Sequence, residues 1–130
     1  MWIINFISKR GILIKRKLSK NIEFKRVFSE GKKTESKNFI IFILKNDYKF
    51  NRLGVIVKKE IGIAVVRNKI KRWLKEAYRQ ENRKLFPGYD IILLAKNSIT
   101  NSNYFNISNE LEGLFISENY FYKKSDKLDL

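Results

Sequence analysis

A mixed α/β domain is predicted by three observations. Phe39–Leu44 and Tyr89–Ala95 are apolar runs between polar flanks, and the stretch after Arg67 repeats its apolar residues at helical spacing. Runs of that length, rich in β-branched and aromatic residues, read as strands, and the 3.6-residue period between them reads as a helix. With 130 residues, 44% of them hydrophobic, the chain can close one core but hardly two.

In chain order, the first predicted helix follows Ser19 as N-cap and runs to about Glu30. Its apolar set is Leu18, Ile22, Phe24, Val27 and Phe28, and Gly31 supplies the stop. A short strand is expected near Lys33–Ser36, then the strand Phe39–Leu44 and another at Leu53–Val57. Gly62 lies in the connection that follows. Ile70, Trp73, Leu74, Ala77 and Tyr78 then recur at i, i+3, i+4, i+7 and i+8, which makes this the longest helix. Phe86-Pro87-Gly88 breaks it before the strand Tyr89–Ala95, and Tyr104–Tyr122 is a final helix with Ile107, Leu111, Leu114 and Phe115 on one side. The order is α-β-β-β-α-β-α. Strand, helix, strand suggests a βαβ unit with Leu53–Val57 parallel to Tyr89–Ala95, right-handed by the general rule.

Residues 1–16 read as a poorly ordered N-terminal extension, 17–122 as the domain and 123–130 as a tail. Trp2–Ile7 is an apolar run with its charges after it, unlike a signal peptide, and no stretch approaches the roughly 20 apolar residues of a spanning helix. A cytoplasmic location is expected. The alternatives for Trp2–Ile7 are a strand packed on the domain or an interfacial anchor.

Composition then restricts the chemistry. Lys and Arg number 28 against 13 Asp and Glu, a formal charge of +15, so the compact chain repels itself unless an anionic partner is present. Nucleic acid is the expected partner. With no Cys and no His, disulfides, thiolate nucleophiles, imidazole metal ligands and a histidine acid–base pair are excluded. The Glu-x-Lys triplets at Glu23 and Glu35 lack a partner Asp at a strand end. Asp90, at the start of a strand, is a lone carboxylate, so no catalytic residue and no protein metal site is assigned.

The cations concentrate on the long helix. Arg67, Lys71, Lys75 and Arg79 repeat every four residues and line one side, opposite Ile70, Trp73, Leu74 and Ala77, with Lys69 and Arg72 beside them. Such a row suits phosphates. The alternative is a solvated helix face, but those usually alternate sign, and here Glu76 and Glu81 are the only acids between Arg67 and Lys84. Phe24, Phe28, Phe39 and Phe42 are candidate base-stacking residues. Their helical and strand spacing taken alone reads as core.

Arg67-Asn68-Lys69-Ile70-Lys71-Arg72 resembles the Arg-Asn-Arg signature of the bacterial ribonuclease P protein components. The likeness extends to Phe24-Lys-Arg-Val-Phe28 with Gly31, to Leu53-Gly-Val-Ile-Val-Lys58 with Gly62, and to Asp90-Ile-Ile-Leu-Leu-Ala-Lys96, roughly Lys17 to Leu114. The resemblance implies a two-layer α/β sandwich whose βαβ crossover is left-handed, as in domain IV of elongation factor G, in place of the right-handed default.

It also implies a function: a protein cofactor of a catalytic RNA that removes the 5′ leader from precursor tRNA, with hydrolysis by Mg²⁺ bound mainly to that RNA. Its expected partners are the ribonuclease P RNA and the leader, with no membrane partner. By position, Arg67, Asn68, Lys69, Lys71, Arg72 and Lys75 match the signature, and Arg79 continues the row. Phe24, Phe28 and Phe42, with Lys58 and Lys59, are assigned to a cleft for the single-stranded leader.

The chain departs from the family where Lys69 replaces an arginine and loses its planar fork, where Phe42 replaces a frequent tyrosine, where Glu60 replaces a usual cation, and where Ile63 replaces a common polar residue. A general RNA-binding protein of ribosomal type is the competing reading, and a cationic membrane-surface protein is another.

Overall fold

The computed structural model describes residues 17–120, together with the backbone of residues 5–7 and 13–15. Within the stretch read as an extension, β1 (Asn5–Ile7) and β2 (Leu13–Lys15) pair antiparallel. The rest of that extension and the tail 123–130 lie outside the described residues. The domain follows as α1 (Asn21–Glu30), β3 (Lys32–Glu35), β4 (Phe39–Lys45), β5 (Arg52–Ile56), α2 (Ala64–Asn82), β6 (Tyr89–Ala95) and α3 (Tyr104–Ser117). These are the expected elements in the expected order.

Strands β3–β6 form one sheet in the order β3-β4-β6-β5. The pairs β3–β4 and β4–β6 are antiparallel, while β5 runs parallel to β6 around α2. Because side chains alternate along a strand, each of these strands serves two faces. Phe39, Ile41 and Ile43 of β4, Leu53 and Val55 of β5, and Ile91, Leu93 and Ala95 of β6 face α2 and α3. They pack there with Ile70, Leu74, Ala77, Tyr78, Ile107, Leu111 and Phe115. The main core is thus an α/β sandwich. The opposite face carries a smaller core of Leu18, Phe24, Val27, Phe42 and Ile92, covered in part by α1.

Some local expectations are corrected. Ser19 is not the N-cap of α1: Lys20 holds that position, and the Glu23 carboxylate accepts from the Ser19 and Lys20 N–H groups, both at 3.0 Å. Helix α1 therefore begins by reaching back from its own first turn. Gly31 does stop the helix, but its φ of −74° is not left-handed. A Cβ there would lie 2.5 Å from the Val27 carbonyl oxygen, so close approach, and not a special dihedral, requires glycine. A positive glycine φ falls instead at Gly88, +97°, in the turn that feeds β6. Helix α3 ends at Ser117, short of the expected Tyr122; Phe121 and Tyr122 are outside the described residues.

Candidate RNA-binding surfaces

On the α1 side, the strand registers organise the exposed face into three cross-strand rows. Leu44, Asp90 and Arg52 form the first, Phe42, Ile92 and Gly54 the second, and Ile40, Leu94 and Ile56 the third. The first two rows meet α1, and the third does not.

The first row is a clamp. Arg52 donates from Nε to Asp90 Oδ1 at 2.7 Å and from Nη2 to Asp90 Oδ2 at 2.6 Å, and its Nη1 reaches the Glu23 carboxylate. Asn46 Nδ2 adds a bond to Asp90 Oδ1 at 2.8 Å. Asp90 is almost fully buried, so its charge is held by this fork. Hydrogen bonding to Asp90 is the leading cause that raises the Arg52 pKa, against burial, with Glu23 adding to it. At Glu23 burial pushes the carboxyl up, but the Lys20 and Ser19 N–H groups and Arg52 outweigh it and hold the pKa below its ordinary 4.5. Asp90, a lone carboxylate in the sequence, is therefore the anchor of an internal ion pair.

The second row is aromatic. Phe24 is buried against Gly54, where a Cβ would come within 2.7 Å of the ring. Phe28 stands edge-on to Phe42 with ring centroids 4.8 Å apart. Of the three aromatics assigned to the cleft, Phe28 is 39% exposed whereas Phe24 and Phe42 are buried beneath and beside it. The fourth candidate, Phe39, faces the main core.

Helix α1 stops short of the third row. Ile40, Leu94 and Ile56 stay half-buried, an apolar floor packed against the smaller core, with Phe42 in the adjoining row. Lys58, Lys59 and Lys96 follow the ends of β5 and β6 at this margin. Lys58 and Lys59 are exposed, and Lys96 Nζ bonds Glu35 Oε2 at 3.1 Å and the Ser36 carbonyl at 3.0 Å. The floor, Arg52, Gly54 and Lys96 were not among the sequence-assigned site residues. A glycine inside a strand was the one available signal, since it marks close approach by another group.

The cations of α2 lie across the sheet from the aromatics. Ile70, Leu74, Ala77 and Tyr78 are buried, while Asn68, Lys69, Arg72 and Arg79 are exposed and Arg67, Lys71 and Lys75 half-buried. Arg67 has a second task, because its Nε donates to the Gly62 carbonyl at 3.0 Å and closes the turn before the helix. Lys69 Nζ sits 5.0 Å from the Trp73 ring centroid, a cation–π contact across one helical turn. Arg79 pairs with Glu76 on the exposed surface. Burial of its stem, then the nearby Arg79 and Arg72 charges, push the Lys75 ammonium below its ordinary pKa, with Glu76 opposing.

The chain itself connects the two sets. A short turn, Lys59–Ile61, carries it from β5 to α2, so Lys58 and Lys59, just past the third row, are followed by Arg67, Asn68 and Lys71 in the first turns of the helix. Arg79 lies roughly 18 Å further along the helix axis, toward Asn82, whose side chain meets Asn51 before β5. Arg79 is thus separated from Arg67, Asn68 and the cleft residues, though it stays one helical turn from Lys75. Among the described residues no three Asp or Glu side chains converge as metal ligands, and no helix is long and apolar enough to cross a membrane.

Known proteins share this fold. A family model described as Ribonuclease P matches residues 14–118. The ribonuclease P protein component of Alkaliphilus oremlandii is 43% identical over 88 residues, covering 68% of this chain and 77% of that protein. That of Clostridioides difficile is 37% identical over 98 residues, covering 75% and 86%. Among solved structures, the Staphylococcus aureus RNase P protein aligns with a TM-score of 0.75 at 29% identity over 82% of this chain and 98% of that one. The Thermotoga maritima protein aligns at 0.70 and 28% identity, covering 75% and 93%. The match spans every element from α1 to α3, and the chain belongs to the ribonuclease P protein family.

Proposed function

We propose that this chain is the protein subunit of ribonuclease P, and that it holds the single-stranded 5′ leader of precursor tRNA in the groove beside α1 while the catalytic RNA runs along α2. The observation that carries this reading is the junction of the two surfaces. The apolar row Ile40–Leu94–Ile56 ends at Lys58 and Lys59, and the turn they open leads into Arg67, Asn68 and Lys71. A base stacks on Phe28 and an apolar floor while the phosphates that follow meet cations, the usual division of labour for single strands.

The chain supplies binding and charge. Asp90 and Glu23 are committed to Arg52, so these two carboxylates are not available as Mg²⁺ ligands; in this reading Mg²⁺ would be held by the RNA and would activate the water that cleaves the phosphodiester. The protein acts by positioning the leader and by lowering repulsion between two RNAs.

The test is single-turnover cleavage of a precursor tRNA by a bacterial ribonuclease P RNA at low Mg²⁺, with and without the protein. Stimulated cleavage at the mature 5′ end is expected. Tight RNA binding without stimulation would replace this reading with a general RNA-binding protein.

A further inference from the structure

We propose that Ile63 and Val65 form an apolar ridge at the start of α2 that packs against ribose and base surface of the catalytic RNA, adding a salt-independent contribution to assembly. The inference rests on the proposed pairing of α2 with that RNA.

Ile63 is 72% exposed and Val65 75%, although large aliphatic side chains are mostly buried in this domain. Their neighbours behave otherwise: Ile61 and Val66 turn inward and pack on the main core. The outward pair is also held rigidly. Ile61 N–H donates to the Lys58 carbonyl at 3.1 Å, and Arg67 bonds the Gly62 carbonyl through Nε and the Ile63 carbonyl through its N–H, both at 3.0 Å. Little conformational entropy remains to be lost when the ridge is covered.

The surroundings say what covers it. Exposed Lys58 and Lys59 lie in the turn that precedes Ile63, and exposed Lys69 follows Val65 by one helical turn and continues into the α2 stripe, a charge pattern that suits a polyanion. Glu60, exposed in the same turn, repels phosphate at the ridge itself. What fits is the part of a nucleic acid that is not phosphate. The minor groove of an RNA helix is wide and shallow and presents ribose and base edges, and apolar side chains make minor-groove contacts elsewhere. Such a contact displaces water and not counterions, so it contributes equally at low and high salt.

The experiment measures equilibrium binding of the full chain to a bacterial ribonuclease P RNA, and separately to a short leader oligonucleotide, over a salt series. The Ile63→Ser, Val65→Ser double variant is expected to bind the catalytic RNA about tenfold more weakly. Its salt slope and leader affinity should match wild type, and its melting temperature should not fall, because Ile63 is the N-cap of α2 and serine caps a helix better than isoleucine. Lys69→Ala should flatten the slope, and the apolar exchange Ile63→Val with Val65→Ile should restore binding. Unchanged affinity of the double serine variant would overturn the ridge, as would a loss seen with the leader alone. Failure of wild type to bind the catalytic RNA would instead refute the assignment of α2 on which the ridge depends.

Discussion

Phe28 meets Phe42 edge to face at an interplanar angle of 81°, so that a helix residue and a strand residue form one aromatic contact on the α1 face of the sheet. Only Phe28 has a ring edge open to solvent. Phe28→Ala should therefore cost roughly 1–3 kcal/mol of leader affinity with no change in salt slope. Phe42→Ala should cost roughly 3–5 kcal/mol of folding stability. Leader titration beside urea unfolding separates the two roles; equal stability losses would contradict this division.

Arg52 joins α1 to β6 by pairing with Glu23 and Asp90 at once. Arg52→Met leaves the buried Asp90 carboxylate without its charged partner and should destabilise the fold by about 3–5 kcal/mol. Arg52→Lys should recover only part, since an ammonium cannot reproduce the bidentate fork on Asp90. Denaturant midpoints of the two variants check the order.

The depressed pKa of Glu23 has a defined pH signature. The folded state binds fewer protons than the unfolded one around and below pH 4.5, so this contribution is complete above that value and lost as pH falls through the lower folded pKa. Glu23→Gln should lower stability at neutral pH and flatten the acid limb. Parallel wild-type and variant curves between roughly pH 3 and 6 would show that Glu23 contributes nothing there.

Two glycines should respond oppositely to alanine. Gly54→Ala drives a methyl into the Phe24 ring and should cost roughly 1–3 kcal/mol while weakening leader binding, because α1 must lift from the sheet. Gly113 is helical with open space around it, so Gly113→Ala should gain up to about 1 kcal/mol. Thermal melts of both variants test the contrast.

Lys75 shares its helix face with Arg72 and Arg79, and that crowding is relieved by a polyanion. Lys75→Gln should leave the free protein at least as stable at low salt, yet lower the slope of RNA binding by about 0.7–0.9 for each phosphate the side chain neutralises. Weaker binding with an unchanged slope would remove Lys75 from the phosphate-binding row.

The amino-acid sequence by itself determined the elements from α1 to α3, their order and the cationic face of α2, because periodicity and charge are local properties of the chain. Tyr89–Ala95 was legible to the residue, since a Pro-Gly turn opens directly into a run whose only charge is Asp90. Sequence also carried the family resemblance, through motifs spread from Phe24 to Lys96. Tertiary structure decided what strand parity and pairing alone can set: which alternate residues of β4, β5 and β6 share a face with α1, and where that helix stops. Ile40, Leu94 and Ile56 look like any core triplet until register aligns them and α1 fails to cover them. Arg52 and Asp90, separated by 38 positions, become a clamp only when β5 and β6 lie side by side. The buried Phe24 and the open Phe28 sit one helical turn apart, and it is the sheet below them that assigns one to the core and the other to the groove.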